Sequence, residues 1–201
     1  LFRCSYIMVT LKDIFDVDYP VSEAVVKRVM GLVREMNVSK RTFIIEQGQP
    51  TDSLFFIIDG LVRCVHTRGG EEETFLFATS GDPFTSIHSM SRGEPSQFSW
   101  QALDDTRLLA LKFSDFEKLL AEEPEIHCWW SKALLDELYV LERRYVWIGN
   151  DSAAQRYETL VRTRPDVINR VPVKYIAQYL HISPATLSRI RASLVGKAAS
   201  R

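Results

Sequence analysis

The sequence predicts an α+β protein: an N-terminal antiparallel β-roll with flanking helices, a long dimerisation helix and a C-terminal helix-turn-helix domain. Between Thr42 and Leu111, short β-rich runs alternate with glycine turns about every ten residues, which is typical of a compact antiparallel roll. Residues 125–148 contain no glycine or proline and predict one long helix. Two apolar helical stripes separated by a break follow within residues 173–190. We place the β-roll sensor domain at 1–123, the dimerisation helix at 124–149 and the helix-turn-helix domain at 150–201.

The N-terminal region reads as one amphipathic helix followed by six strands. Residues 20–37 place apolar side chains on one helical face, and Ser22 is a suitable N-cap. The predicted strands are the runs TFIIEQG, SLFFIIDG, LVRCVHTR, ETFLFATSG, FSWQAL and RLLALKF. Ser114 then caps a short helix that Pro124 ends.

The long helix carries a seam of the kind through which two helices pack together. The seam follows a mostly four–three spacing and consists of His127, Leu134, Leu138, Leu141, Tyr145 and Ile148. We expect this helix to bury one face on the roll and another on a second subunit, and the alternative is a helix packed wholly within its own chain. Gly149-Asn150 should end the long helix, and a capping box from Ser152 to Gln155 should begin the next one. After Pro165 we expect an extended linker.

The C-terminal pattern predicts a helix-turn-helix unit whose second helix spans residues 183–194. Ser183 is a strong N-cap, and Pro184 is tolerated in the first helical turn. His181 occupies the turn position that usually holds glycine, because the turn requires a positive φ angle. The outward face would carry Ala185, Thr186, Ser188, Arg189 and Ala192. Small and hydrogen-bonding residues with one arginine suit a helix that enters the DNA major groove, whereas a plain helical hairpin is the alternative.

Charge is distributed unevenly along the 201 residues, although the net charge is only −1. Residues 151–201 hold nine Lys and Arg against three acids, and the preceding part holds 16 against 23. A basic quarter on an acidic body favours double-stranded DNA as a partner.

The composition also indicates the compartment. No apolar run of about 18 residues is present, so we expect no membrane span. The first residues, LFRCSYIMVT, are too short for a secretory signal, and residues 1–7 need not be native, with Met8 as a possible start. Three widely spaced cysteines (Cys4, Cys64 and Cys128) indicate a reduced, cytoplasmic setting.

Together these features resemble the Crp/Fnr family of bacterial transcription regulators, whose founder is the cyclic-AMP receptor protein. The resemblance covers nearly the whole chain and rests on Gly48 in IIEQGQPTDSLFFI, Gly60 in FIIDGLVR, Gly81-Asp82 in ATSGDPF and ALDDTRLLAL at 102–111. It implies a cyclic-nucleotide-binding-like double-stranded jelly roll, a homodimer that binds DNA and RNA polymerase as a partner. After Ala192, SLVGKAASR is short for the family's β-hairpin wing.

The ligand segment departs from the family's cyclic-AMP pattern. Alignment on Ala102 places Thr85-Ser86 where such members have Gly-Glu, and Ser96-Gln97-Phe98 where they have Arg-Ser-Ala. Both charged anchors are absent, and a phosphate buried without a counter-charge is costly, so we expect an effector other than cyclic AMP, if any. Arg92 could substitute only if the loop rearranged. The candidate ligand-binding residues are Thr85, Ser86, His88, Ser96 and Gln97.

Metal, cofactor and enzyme hypotheses receive less support. His88 lacks the neighbouring cysteine that the family's heme-binding, carbon monoxide-sensing members have. Cys4 alone cannot hold an iron–sulfur cluster. Cys64 and His66 could be two metal ligands, but the sequence shows no further ligands to complete the site. No nucleophile elbow, P-loop, zinc-protease or dinucleotide motif is present. We therefore expect no cofactor, no metal and no catalysis.

The resemblance assigns the DNA contacts residue by residue. Arg189 matches the family's arginine that reads guanine, whereas its other two base-reading positions hold Pro184 and Ala185. Ala185 could touch a thymine methyl, and Thr186 and Ser188 could contribute. The candidate phosphate contacts are Ser183, Lys174, Arg170 and Arg191. The predicted function is transcription regulation through a pseudo-palindromic site, with a hinge at 149–151, and the alternative is a ligand-sensing module without sequence-specific DNA binding.

Overall fold

The computed structural model describes residues 10–16 and 21–199, with side chains as far as Leu194. The expectations for Cys4 and residues 1–7 lie outside the described residues. Two helices, α1 (Leu11–Asp16) and α2 (Glu23–Met30), precede the roll. The roll contains β1 (Arg34–Val38), β2 (Phe43–Ile45), β3 (Ser53–Asp59), β4 (Leu61–Arg68), β5 (Glu71–Thr79), β6 (Pro83–Phe84), α3 (Ile87–Arg92), β7 (Ser99–Ala102) and β8 (Thr106–Lys112).

The eight strands form two antiparallel four-stranded sheets, in the orders β1-β8-β3-β6 and β2-β7-β4-β5. Apolar residues from both sheets meet inside the roll, among them Ile57, Val62 and Trp100. A second core, which includes Phe56 and Leu111, lies between β3, β8 and the helices that flank them. Strand β3 is therefore buried on both faces, which explains its unbroken apolar run LFFII.

The turn glycines have the predicted conformations, and Gly60 is the most constrained. Its φ angle is +131°, and a Cβ atom added there would lie 2.5 Å from the Thr106 hydroxyl. Only glycine accommodates both the dihedral angle and this close approach.

Two predictions for the N-terminal region are wrong. The helix predicted over residues 20–37 ends at Met30, and residues 34–38 form β1, which pairs with β8 from Arg34↔Ala110 to Val38↔Thr106. The apolar residues of this segment have helical spacing, but pairing with the neighbouring strand decides its conformation. Its side chains are largely exposed, apart from Val38 at the end of the strand. The roll consequently has eight strands among the described residues, whereas the sequence predicted six.

The roll is followed by α4 (Phe113–Glu122) and the long helix α5 (Pro124–Asn150). Helix α5 continues through Gly149 and ends one residue later than predicted. Ser152 then forms the predicted capping box with Gln155 at the start of α6 (Ala153–Thr163). The linker predicted after Pro165 is instead helix α7 (Pro165–Arg170), since proline fits the first helical position. None of the described helices is both long enough and apolar enough to cross a membrane.

The last two helices, α8 (Val173–Tyr179) and α9 (Pro184–Ala199), form the predicted helix-turn-helix unit, although α9 continues five residues beyond the predicted end at residue 194. His181 in the turn has a φ of +53°, as predicted. The two helices cross over buried Ile176, Ala177 and Leu187. This third core also contains Leu61, Phe77 and Leu103 of the roll, so the helix-turn-helix unit is packed against the roll.

Candidate nucleic-acid interface and interior cavity

The exposed side of α9, which we call the outer face, includes Ala185, Ser188, Arg189 and Ala192. Leu187, between them, is fully buried and fixes the rotation of the helix. Ser183 accepts a hydrogen bond from the Thr186 amide at 3.1 Å and so caps the helix as predicted. The burial of Leu187 and the cap at Ser183 thus direct the outer face away from the protein.

Arg189 is available for an external contact. Its guanidinium donates to the Thr186 hydroxyl at 3.2 Å, and it forms no ion pair within the described part of the chain. Thr186 is half-buried, and its hydroxyl lies 3.0 Å from that of Ser183. The Arg189 side chain therefore enters any contact without first losing a carboxylate partner.

The other predicted phosphate-contacting cations differ in availability. Lys174 is exposed, and its ammonium lies 5.9 Å from the Tyr175 ring centroid. Arg170 forms an ion pair with Asp104 of the roll at 2.8 Å. Arg191 is half-buried with its guanidinium 5.6 Å from the centroid of Tyr157. Among these cations, only Lys174 is both exposed and free of an acidic partner among the described residues.

The opposite side of the helix-turn-helix unit, the inner face, is docked on β5 and comprises Tyr175, Gln178, Tyr179 and His181. The Thr74 hydroxyl donates to the Oε1 atom of the Gln178 side chain at 2.7 Å. The buried Arg63 guanidinium lies 3.8 Å from the Tyr175 ring centroid, a cation–π distance. These contacts join residues about a hundred positions apart, and no local sequence pattern predicts them.

Arg164 forms a second connection between the two parts, which sequence reasoning missed. Its guanidinium donates to the Thr79 hydroxyl at 3.2 Å and lies 3.7 Å from the Asp82 carboxylate. It also pairs with Asp166 at 3.2 Å. Arg164 therefore holds the start of α7 against the turn that follows β5.

His181 connects the helix-turn-helix turn to both the roll and α5. Its Nδ1 lies 3.0 Å from a Glu73 carboxylate oxygen, and its Nε2 lies 3.3 Å from Nη2 of the buried Arg144. Because arginine only donates hydrogen bonds, Nε2 must accept, which leaves the neutral ring with its proton on Nδ1, directed at Glu73. Burial lowers the pKa of His181, and although Glu73 raises it, Arg144 and Arg156 lower it further. Geometry and electrostatics both favour the neutral form.

A cavity of about 660 Å³ separates the roll from α5. Four of the five predicted ligand-binding residues (Thr85, Ser86, His88 and Ser96) line it, whereas Gln97 does not. Thr85 donates to the Ser53 carbonyl at 2.9 Å, and Ser96 donates to the Phe98 carbonyl at 2.7 Å. Ser86 caps α3 by accepting from the Ser89 amide. These hydroxyls thus have structural roles within the roll.

The cavity is acidic where it approaches α5 and the helix-turn-helix unit. Burial raises the pKa of Asp82. The pKa of Glu137 is also raised, mainly by burial and to a lesser extent by the negative charge of Asp82. Burial also raises the pKa of the lining thiol Cys64. Within residues 10–16 and 21–199, no group of three or more His, Cys, Asp or Glu is arranged to hold a metal ion.

Comparison with known proteins places this geometry in context. A family model described as the cyclic nucleotide-binding domain matches residues 35–123. No curated protein sequence matches the chain. Among solved structures, FixK2 from Bradyrhizobium japonicum is 20% identical with a TM-score of 0.70, covering 83% of this chain and 86% of that chain.

Two further structures have similar folds. A mutant of CooA from Carboxydothermus hydrogenoformans is 21% identical with a TM-score of 0.71, covering 85% of this chain and 79% of that chain. The Thermus thermophilus catabolite activator protein is 20% identical with a TM-score of 0.58, covering 92% and 87% respectively. The predicted fold is thereby confirmed: residues 35–123 match the cyclic nucleotide-binding domain, and the chain has the fold of the Crp/Fnr-family regulators.

Proposed function

We propose that this protein is a homodimeric transcription regulator that reads a pseudo-palindromic DNA site with residues 183–194. The observation that carries the proposal is the outer face of α9. There Arg189, Ser188 and Ala185 are exposed on a helix whose rotation is fixed by buried Leu187. An arginine that is free to form a bidentate contact suits a guanine edge in the major groove.

The proposed homodimer is supported by α5. Its exposed apolar side chains continue over nearly four turns and include Leu135, Leu138 and Tyr145, which are 63%, 61% and 84% exposed. A two-fold pair of such helices would bury these side chains and present two copies of α9 to half-sites about one turn of DNA apart. Leu134 and Leu141 of the predicted seam line the cavity, so the proposed contact is centred on Leu135, Leu138 and Tyr145.

RNA polymerase is the proposed downstream partner, through the resemblance alone. The competing candidate, a ligand-sensing module without sequence-specific DNA binding, gains support from the cavity. It does not account for an exposed arginine and an exposed lysine on a helix-turn-helix unit.

Fluorescence anisotropy on short duplexes, together with analytical ultracentrifugation, tests this function. We expect a dimer whose affinity falls steeply as salt rises from 50 to 200 mM, because each phosphate contact releases counterions. The variant Leu138→Glu should be monomeric and should lose specific affinity, whereas Arg143→Gln, at an exposed position on another side of the same helix, should do neither. A monomeric parent protein, or affinity independent of salt, would contradict the proposal.

A further inference from the structure

The cavity between the roll and α5 has a chemistry unlike that of a site for a cyclic phosphate. Its walls include the aromatic rings of Phe75, Phe98 and Trp100. Ala78 and Cys64 lie between them and are almost fully buried. At about 660 Å³ the cavity has the size of a small-molecule site. The dominant contact that it offers is apolar.

The cations that line this cavity within the described residues all face carboxylates already. Lys132 pairs with Asp136 on the same helix. Arg164 pairs with Asp82 and Asp166. His88 lies 3.7 Å from Glu94. A buried phosphate would therefore meet no counter-charge that is free to neutralise it.

The acidic groups make an anion still less favourable. Glu137 also lines the cavity, so the wall carries a carboxylate beyond those that pair with Lys132 and Arg164. The hydroxyls of Thr85 and Ser96 donate to backbone carbonyls, so they do not offer their protons to a phosphate. A ligand without negative charge avoids both costs.

We propose that the cavity binds an uncharged, predominantly apolar small molecule in place of a cyclic nucleotide. The walls also include Tyr179 of α8 and Val167 of α7, so an occupant touches the roll, α5 and the helix-turn-helix unit together. Such a ligand stabilises the docked arrangement of the inner face and so controls the position of α9. This regulatory consequence rests on the proposed function, whereas the ligand class does not.

The test uses N-phenyl-1-naphthylamine, an uncharged fluorescent probe, with the full chain. We expect one probe per chain, excited by energy transfer from tryptophan, and no displacement by cyclic AMP. Val140→Trp should weaken probe binding about tenfold, because it fills the cavity from α5. Val146→Trp is the matched control: it changes an equally exposed valine of α5 that does not line the cavity, and probe binding should be unchanged.

Three results would overturn the ligand class: displacement of the probe by cyclic AMP, no binding of the probe to the parent protein, or equal binding by the parent and Val140→Trp. Circular dichroism confirms that both tryptophan variants are folded. Duplex binding measured on the same samples separates the two proposals. If the parent protein binds the probe but no duplex, the proposed transcription regulator is rejected and the proposed ligand class stands. If it binds duplex but not the probe, only the ligand class is rejected.

Discussion

The outer and inner faces of the helix-turn-helix unit are built from the same short segment, yet their polar groups are in opposite states. On the outer face, Arg189 has only the Thr186 hydroxyl as a hydrogen-bond partner among the described residues. On the inner face, Gln178 and His181 contact Thr74 and Glu73 of β5. Nearby, Arg164 and Arg170 form ion pairs with Asp82 and Asp104 of the roll. The difference teaches that the polar and basic residues of this region do not form one surface, because some of them hold the unit to the roll.

The largest effect is expected at the residue that separates the two faces. Leu187→Ala should lower the free energy of unfolding by about 2–5 kcal/mol, because Leu187 is fully buried in the third core. Chemical denaturation followed by circular dichroism measures this change. Ser188→Ala, one position along and exposed, should change it by less than about 0.5 kcal/mol. Equal stability of the two variants would mean that α9 is not anchored through Leu187.

A smaller effect is expected on the outer face alone. Arg189→Ala should weaken specific DNA binding by roughly 1–3 kcal/mol, because one bidentate base contact is lost. The control Arg34→Ala removes an exposed arginine from β1 and should leave the affinity unchanged. Anisotropy titration at fixed salt compares the variants. If both substitutions weakened binding equally, Arg189 would contribute only its charge.

The smallest effect is expected on the inner face and depends on pH. The pKa of His181 is lower in the folded protein than in the unfolded chain, so the unfolded chain binds a proton more readily. The folded state is therefore most stable above the unfolded pKa, and its free energy of unfolding decreases as the pH falls towards the folded pKa. His181→Asn cannot titrate there and tolerates the positive φ. The thermal midpoint of the parent should therefore fall more between pH 7.5 and 5.5 than that of His181→Asn. Parallel profiles would show that the histidine is not held neutral.

Local rules made part of this structure predictable. The turn glycines, the capping box at Ser152 and the break at Ser183-Pro184 depend on neighbouring residues, and all three were correct. Strand β1 was missed because its conformation comes from pairing with β8, about 70 residues away. Helix α7 was missed because Pro165 was interpreted as a linker residue, although it starts a helix.

The candidate sites divide in the same way. The spacing of the second helix predicted that Arg189 would be exposed, because helical periodicity alone decides it. The docking of the inner face could not be predicted, since the Thr74–Gln178 bond joins residues 104 positions apart. The paired state of Arg170 depends likewise on Asp104, a residue of the roll. Local pattern thus identifies which residues can reach DNA, and only the fold shows which of them are already engaged.

Selection of bound duplexes from a random-sequence pool tests the central claim most directly. The parent protein should enrich a two-fold symmetric sequence whose half-site centres lie about 10 base pairs apart, and Arg189→Ala should lose the preference at one base pair in each half-site. Enrichment of no sequence by the parent, or of the same sequence by the parent and Arg189→Ala, would contradict the assignment of α9 as the helix that reads DNA.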